Sequence, residues 1–217
     1  FTEFSSKKLL YKKFPRISYE DTMLKYGTDK PDLRNPLEIK ELTSIFTRED
    51  VKFDIFKKLV SKGSVVRAIV TKNTKDKPRS FFDNIDQWAK EEGASGLAYF
   101  TIEKKDQLSA KGPIGKFFSE ESLKEIMKIT DAKIGDSIFL ACNKINEVEK
   151  LLSLARDKIA NDLKIINEDC FAFCWIVDYP MFEFDETLKK VVFSHNPFSM
   201  PQGKIEDLNF DKPLEIK

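Results

Sequence analysis

The sequence is poor in the residue types that build metal centres and covalent active sites. It contains one histidine, His195, and three cysteines, Cys142, Cys170 and Cys174. A zinc site needs several such ligands at close spacing, and only Cys170 and Cys174 lie near each other in the sequence. One histidine, without a nucleophile elbow, supports no Ser-His-Asp or Cys-His arrangement. We therefore predict no metal site, assign no catalytic residue, and interpret the cysteines as buried, reduced thiols.

The sequence also lacks an excess of charge and a long apolar segment. Its 37 basic and 36 acidic residues give a net charge of +1, so any contact with nucleic acid must be local. No apolar run approaches the roughly 20 residues needed to cross a bilayer, and no charged-then-apolar leader opens the chain. We therefore expect a cytoplasmic protein without a membrane partner.

Strand and helix signals alternate through the middle of the chain. The predicted strands are residues 64–71, 96–103 and 137–142, which are rich in apolar and β-branched residues. Each is followed by apolar residues at helical spacing, in helices expected to begin at Ser80, Ser119 and Asn143. Two further helical stretches, 38–46 and 51–59, precede the first strand. This order predicts an α+β fold, a two-layer domain with a mixed sheet and helices over residues 38–163.

The segments on either side, residues 1–37 and 164–217, have a different texture. Residues 171–177 and 188–193 are two apolar segments separated by Pro180, and they predict a hairpin-like pair of strands. Nothing links this pair to the preceding domain. We therefore expect three parts: a flank of residues 1–37, an inserted domain of residues 38–163, and a second flank of residues 164–217.

The first flank contains an unusual run. Residues 14–36 are FPRISYEDTMLKYGTDKPDLRNP. Ser18 is a candidate amino-terminal cap for a helix that ends at Gly27. Pro31 and Pro36 then favour an extended, rigid loop, because a proline disfavours helical backbone at the residue before it.

The second flank contains two further unusual runs. Residues 174–182 are CWIVDYPMF, and residues 193–201 are FSHNPFSMP. His195 lies where the second predicted strand ends, a position from which a side chain can reach a bound ligand. A lone histidine is often structural, and spacing alone does not decide between the two interpretations.

Together these runs resemble the stretches of a bacterial-type aspartyl-tRNA synthetase catalytic domain that flank its large insertion, the GAD domain. The resemblance implies that the flanks belong to the antiparallel sheet of a class II synthetase. It also implies that residues 93–100, 116–118 and 135–139 are the family-like parts of the insertion. By this match the chain is expected to be a fragment of a longer enzyme.

The resemblance further implies an activity for the full-length enzyme, an aspartate–tRNA ligase. Such an enzyme uses ATP and Mg²⁺ to convert L-aspartate to aspartyl-adenylate and transfers the aspartyl group to tRNA, acting as a homodimer. His195 would bind the carboxylate of L-aspartate, although many relatives have a second histidine where this chain has Asn196. The ATP-binding arginine motifs, the dimer motif and the anticodon-binding barrel have no counterpart in these residues. The fragment alone is therefore expected to bind no cofactor and to be inactive, with the insertion positioning tRNA.

Two residues of the proline-containing loop have two open interpretations. Lys30 or Arg34 pairs either with a phosphate of the tRNA acceptor end or with a neighbouring carboxylate, in which case its role is structural. Spacing alone selects neither alternative. Specificity for tRNA-Asp alone or for both tRNA-Asp and tRNA-Asn is likewise left open, because no anticodon-reading part is present.

A different class of function is a free-standing α+β interaction module without catalytic activity. The run Gly112-Pro113-Ile114-Gly115-Lys116 lacks the spacing and the terminal Ser or Thr of a phosphate-binding P-loop. Its proline and glycines are suited instead to a rigid loop that faces a partner. A native reading frame with synthetase motifs on both sides would favour the ligase over this module.

Overall fold

The computed structural model describes residues 3–104, 106–185, 187–194 and 200–217, without the side chain of Asp207. The helices are α1 (Tyr19–Tyr26), α2 (Asp54–Val60), α3 (Arg79–Glu91), α4 (Glu120–Thr130) and α5 (Ile145–Leu163). The strands are β1 (Lys8–Leu9), β2 (Arg16–Ser18), β3 (Ile39–Glu41), β4 (Val65–Thr71), β5 (Ala98–Lys104), β6 (Leu108–Lys111), β7 (Ser137–Asn143), β8 (Cys170–Phe171), β9 (Trp175–Val177), β10 (Phe182–Asp185) and β11 (Lys190–Phe193). In this part of the chain, no helix is both long enough and apolar enough to cross a membrane.

The central element is a five-stranded sheet in the order β3-β4-β7-β5-β6, with every neighbouring pair antiparallel. Alternate residues of its strands enter two separate apolar cores. One core lies against α3 and α5, and the other lies against α4 and the 3-10 turn Thr43–Thr47. The α+β class is confirmed, but helices cover both faces, so the sheet is the middle of three layers and not one of two. The reason is that β4 and β7 are buried and mainly apolar on both faces.

The amino-terminal caps expected from the sequence are present at two helices. Ser18 Oγ accepts a hydrogen bond from the Asp21 amide at 3.1 Å, and Gly27 ends α1 in the left-handed conformation. Ser119 Oγ likewise accepts from the Ser122 amide at 3.0 Å at the start of α4. The expected cap at Ser80 is wrong, because α3 begins at Arg79 after Pro78, which provides no side-chain cap.

Several predicted elements differ where long-range pairing overrides local preference. The helix expected over residues 38–46 is instead strand β3, which pairs with β4, followed by a 3-10 turn. Strand β6 was not predicted; it is a half-exposed edge strand with a weak pattern. The expected hairpin of residues 171–177 with 188–193 is also not formed. Strand β11 pairs with β10, whereas β8 and β9 pair in parallel with β1 and β2 of the first flank.

One carboxylate connects the start of α4 to the chain that precedes α2. Ser119 Oγ donates a hydrogen bond to Asp50, and Arg48 donates to both Asp50 oxygens at 2.8 and 3.0 Å. Hydrogen bonding lowers the pKa of Asp50 from 3.8 to about 2, with Arg48 as the largest cause and Ser119 as the second.

We expect the stabilisation that depends on Asp50 to be lost in acid. Because its pKa is lower in the folded state, its contribution is complete above about pH 4 and disappears as the pH falls through about 2. Unfolding of the wild type and of Asp50→Asn in urea, from neutral pH to about pH 2, should therefore give a difference in free energy that shrinks with acidity. Asp76→Asn, at an exposed carboxylate, is the control. A difference that does not change with pH would contradict this assignment.

Candidate functional site

Helix α1 lies against α5, close to where the chain enters and leaves the region of the five-stranded sheet. Gly27, at the end of α1, lies so close to this helix that a Cβ atom there would be 2.3 Å from the Glu149 carbonyl oxygen. The Asn167 amide in turn donates to the Arg34 carbonyl oxygen at 3.2 Å. The chain therefore enters and leaves the region of the five-stranded sheet at neighbouring points, beside the loop of residues 28–36.

A buried arginine on α5 holds this loop in place. Arg156 is 1% exposed, and its Nε donates to the Leu37 carbonyl oxygen at 2.8 Å. Its Nη2 lies 3.4 Å from the carbonyl oxygens of Asp32 and Asn35. Its guanidinium carbon lies 4.8 Å from the ring centre of Tyr26. Burial lowers the pKa of Arg156, yet an arginine keeps its proton in proteins, so a charged donor is fixed beneath the loop.

The two loop residues singled out from the sequence occupy different environments. Lys30 Nζ lies 2.7 Å from the Asp29 carboxylate, and the Lys30 side chain is 83% exposed. Arg34 pairs with both oxygens of Asp32, at 2.7 Å for the shortest contact, and this hydrogen bonding lowers the pKa of Asp32. Arg34 is thus tied within the loop by a bidentate pair, whereas Lys30 projects into solvent. Contact of either residue with tRNA stays a prediction.

His195, predicted to bind L-aspartate, lies outside the described residues. The residue before it is held by two hydrogen bonds: Ser194 Oγ donates to the Pro180 carbonyl oxygen at 2.5 Å, and the Ser194 amide donates to the Met181 carbonyl oxygen at 3.0 Å. Pro180 lines a cleft between α1, α5 and the second flank. The residue before His195 is therefore anchored at the edge of this cleft, which we call the flank cleft.

The flank cleft has a volume of about 430 Å³. Its lining combines charged and hydroxyl-bearing side chains with apolar ones: Tyr19, Glu20, Met23, Leu24, Arg67, Ile145, Asn146, Glu149, Asp178, Pro180, Leu214 and Lys217. The ring centres of Tyr19 and Tyr179 lie 5.2 Å apart beside it. Burial is the main cause that raises the pKa of both tyrosines, so their hydroxyl groups remain neutral hydrogen-bonding groups at neutral pH.

An ion-pair cluster forms part of this lining. Arg67, on β4, donates to the carboxylates of Glu41 at 3.0 Å and Glu149 at 2.9 Å. Sequence reasoning missed Arg67 and Glu149, although there was a signal in each case. Arg67 is the one charged residue within an otherwise apolar strand, and Glu149 is next to the apolar stripe of α5. Charges in such positions are seldom buried without a partner.

The described side chains of this arrangement are suited to binding a ligand. The described residues contain no group of three or more His, Cys, Asp or Glu side chains that could hold a metal ion, so we assign no ligand of Mg²⁺ to them. All three cysteines are free, and burial raises the pKa of the Cys142 thiol to about 11. A thiol with such a pKa is a poor nucleophile. Charged and hydroxyl groups of the flank cleft can instead form hydrogen bonds with a ligand, and its apolar side chains can pack against one.

Comparison with known protein families identifies the class of the central part. Residues 56–152 match the model of the GAD domain. These residues include most of the five-stranded sheet and the helices on both of its faces. The chain thus carries a GAD domain between two flanking segments.

Similarity to curated proteins extends over the whole chain. It is 72% identical over 217 residues to an aspartate–tRNA(Asp/Asn) ligase of Pelagibacter ubique, which covers 100% of this chain and 36% of the relative. Ligases of the same name from Beijerinckia indica and Ehrlichia chaffeensis are 48% and 49% identical, again over 100% of this chain and 36% of the relative. The resemblance to bacterial-type aspartyl-tRNA synthetases is confirmed, and the chain corresponds to about a third of these ligases.

Proposed function

We propose that the protein containing this chain is an aspartate–tRNA ligase that uses ATP and Mg²⁺ and acts on both tRNA-Asp and tRNA-Asn. The observation that supports this proposal is the 72% identity to the Pelagibacter ubique ligase along all 217 residues. Identity of this extent includes both flanks, which the GAD domain match does not cover. A cytoplasmic location and a homodimeric state belong to the same proposal.

We assign the residues of this chain to binding and positioning. His195 is proposed to bind the carboxylate of L-aspartate at the edge of the flank cleft, where the preceding Ser194 is anchored to Pro180. Residues 38–163 are proposed to form the domain that positions tRNA. The short distance between Arg34 and Asn167 supports this division, because an inserted domain needs neighbouring ends.

The proposal can be tested in a chimera. The matching segment of the Pelagibacter ubique ligase is replaced by these 217 residues, and aspartate-dependent exchange between ATP and pyrophosphate is measured. Exchange by the chimera supports the ligase. A well-folded chimera without exchange, prepared beside an active parent ligase, would contradict it and favour the interaction module.

The role of His195 predicts a selective loss in the same assay. His195→Ala should raise the KM for L-aspartate by about 10- to 100-fold, because a hydrogen bond to a charged group contributes about 1.5–3 kcal/mol. The KM for ATP should change little. Met200→Ala is the control, since this nearby side chain is 86% exposed. An unchanged KM for L-aspartate would contradict the assignment of His195 and leave the proposed ligase in place.

A further inference from the structure

A second cleft lies entirely within the part of the chain that matches the GAD domain. Its volume is about 470 Å³, and it shares no residue with the flank cleft. It is lined by Lys75, Lys77, Arg79, Phe82, Tyr99, Thr101, Lys111, Gly112 and Pro113. We call it the basic cleft, because its lining contains four cationic side chains and no carboxylate.

The positive charge of this cleft is only partly neutralised. Arg79 lies 3.1 Å from Asp83, and Lys111 lies 3.8 Å from Glu103, so two of the cations have acidic neighbours outside the lining. Among the described residues, Lys75 and Lys77 form no ion pair. Both side chains are exposed. In a chain with 37 basic and 36 acidic residues, this is a local departure from balanced charge.

The wall of the basic cleft is closely packed. Phe82 and Tyr99 stack with ring centres 4.7 Å apart and planes at 14°. Gly112 lies directly over Tyr99 and Phe100 of strand β5: a Cβ atom there would be 3.1 Å from the Phe100 Cα and from the Tyr99 carbonyl oxygen. Its φ of +129° also disfavours other residues. The loop that begins at Gly112 is therefore a close-packed border of the cleft.

The cleft has exposed cationic side chains and nearly buried aromatic rings, and this combination favours a polyanionic backbone as its ligand. Phe82 and Tyr99 are only 4% and 8% exposed, so they offer little surface for a base or an apolar side chain to stack upon. The cationic side chains can contact phosphates through their charged ends while their aliphatic stems line the cleft. Cations from two separate segments of the chain, residues 75–79 and Lys111, line one cleft and can engage more than one phosphate.

We propose that the basic cleft binds the phosphate backbone of tRNA, a proposal that rests on the proposed ligase function. Such contacts position a nucleic acid and release counterions, without reading its bases. The cleft thereby gives the GAD domain a defined contact with the substrate that the flanks are proposed to charge.

The test uses the chimeric ligase with Lys75→Glu and Lys77→Glu combined. The dissociation constant for a tRNA-Asp transcript is measured at several salt concentrations. We expect it to rise about tenfold or more near physiological salt, with the slope of log affinity against log salt reduced by about 2, because each phosphate-bound lysine contributes about 1. Exchange between ATP and pyrophosphate, which needs no tRNA, should be unchanged. Lys75→Arg with Lys77→Arg should restore tRNA binding.

A matched control variant is Lys58→Glu with Lys62→Glu. These exposed lysines precede β4, whereas Lys75 and Lys77 follow it, so the same charge is changed at the opposite end of one strand. The control should bind tRNA as the unmutated chimera does. Equal loss in both variants, or no loss in either, would overturn the basic cleft as the contact. Failure of the unmutated chimera to catalyse exchange would instead overturn the proposed function.

Discussion

Replacing Gly27 with alanine is expected to destabilise the chain by about 3 kcal/mol or more, because two separate costs add at this position. The backbone has φ = +69°, which for alanine costs about 1 kcal/mol. The new Cβ atom would also lie 2.3 Å from the Glu149 carbonyl oxygen and 3.2 Å from the Ser153 Cβ atom. Relief of that overlap requires α1 to separate from α5, which would move the loop of residues 28–36.

The measurement is equilibrium unfolding of the 217-residue chain, with Gly63→Ala as the matched control. Gly63 also has a positive φ, of +89°, but a Cβ atom there would meet nothing within 4 Å. The control should therefore lose only the backbone cost of about 1 kcal/mol. The difference between the two variants measures the contact between α1 and α5. Equal destabilisation of both variants would show that this contact is not as close as described.

The second large effect is expected for Arg156→Met. Methionine has a similar length and removes a buried charge, which by itself favours folding. It leaves the carbonyl oxygens of Leu37 and Asn35 without this donor, however, and each unsatisfied buried group costs about 1–3 kcal/mol; the Asp32 carbonyl oxygen still accepts from the Asn35 amide. It also removes the contact with the Tyr26 ring. We expect a net loss of about 3 kcal/mol, because the lost partners are backbone groups that cannot be removed with the side chain.

Two measurements separate this role from a general loss of packing. Unfolding of Arg156→Met is compared with that of Lys150→Met, a substitution at an exposed position of the same helix, which should cost less than about 0.5 kcal/mol. The substitution should also increase the rate of amide hydrogen exchange by a larger factor in residues 28–37 than in the five-stranded sheet. Exchange rates that rise by the same factor in the sheet and in the loop would show that Arg156 does not hold the loop.

Features that depend on neighbouring residues were predictable from the sequence. The helix cap at Ser18 and the helix end at Gly27 involve hydrogen bonds within about four residues, so the local pattern contains all the information that is needed. The same holds for the cap at Ser119, and the strands at the centre of the sheet were predictable from their apolar, β-branched composition. The predicted domain boundaries and the roles of His195, Lys30 and Arg34 stay predictions.

Other features arise only when distant parts of the chain come together. Arg156 and Leu37 are 119 positions apart, and no local pattern relates an arginine on α5 to a carbonyl group in the first flank. The basic cleft likewise combines residues on both sides of β5 that have no common motif. The interpretation of the Gly112 loop as a loop that faces a partner stays a prediction. The structure adds that the cationic side chains of the basic cleft lie beside this loop.

The sequence by itself determined the helix caps at Ser18 and Ser119, the central strands and, through two distinctive runs, the resemblance to a synthetase. Tertiary structure decided which strands pair, that helices cover both faces of the sheet, and which charged residues lie together. The physical reason is that capping and periodicity act over a few residues, whereas pairing and burial depend on the competition among all apolar surfaces of the folded chain. Arg67 shows the difference, because its charge is evident in the sequence but its two carboxylate partners, Glu41 and Glu149, appear only in the fold.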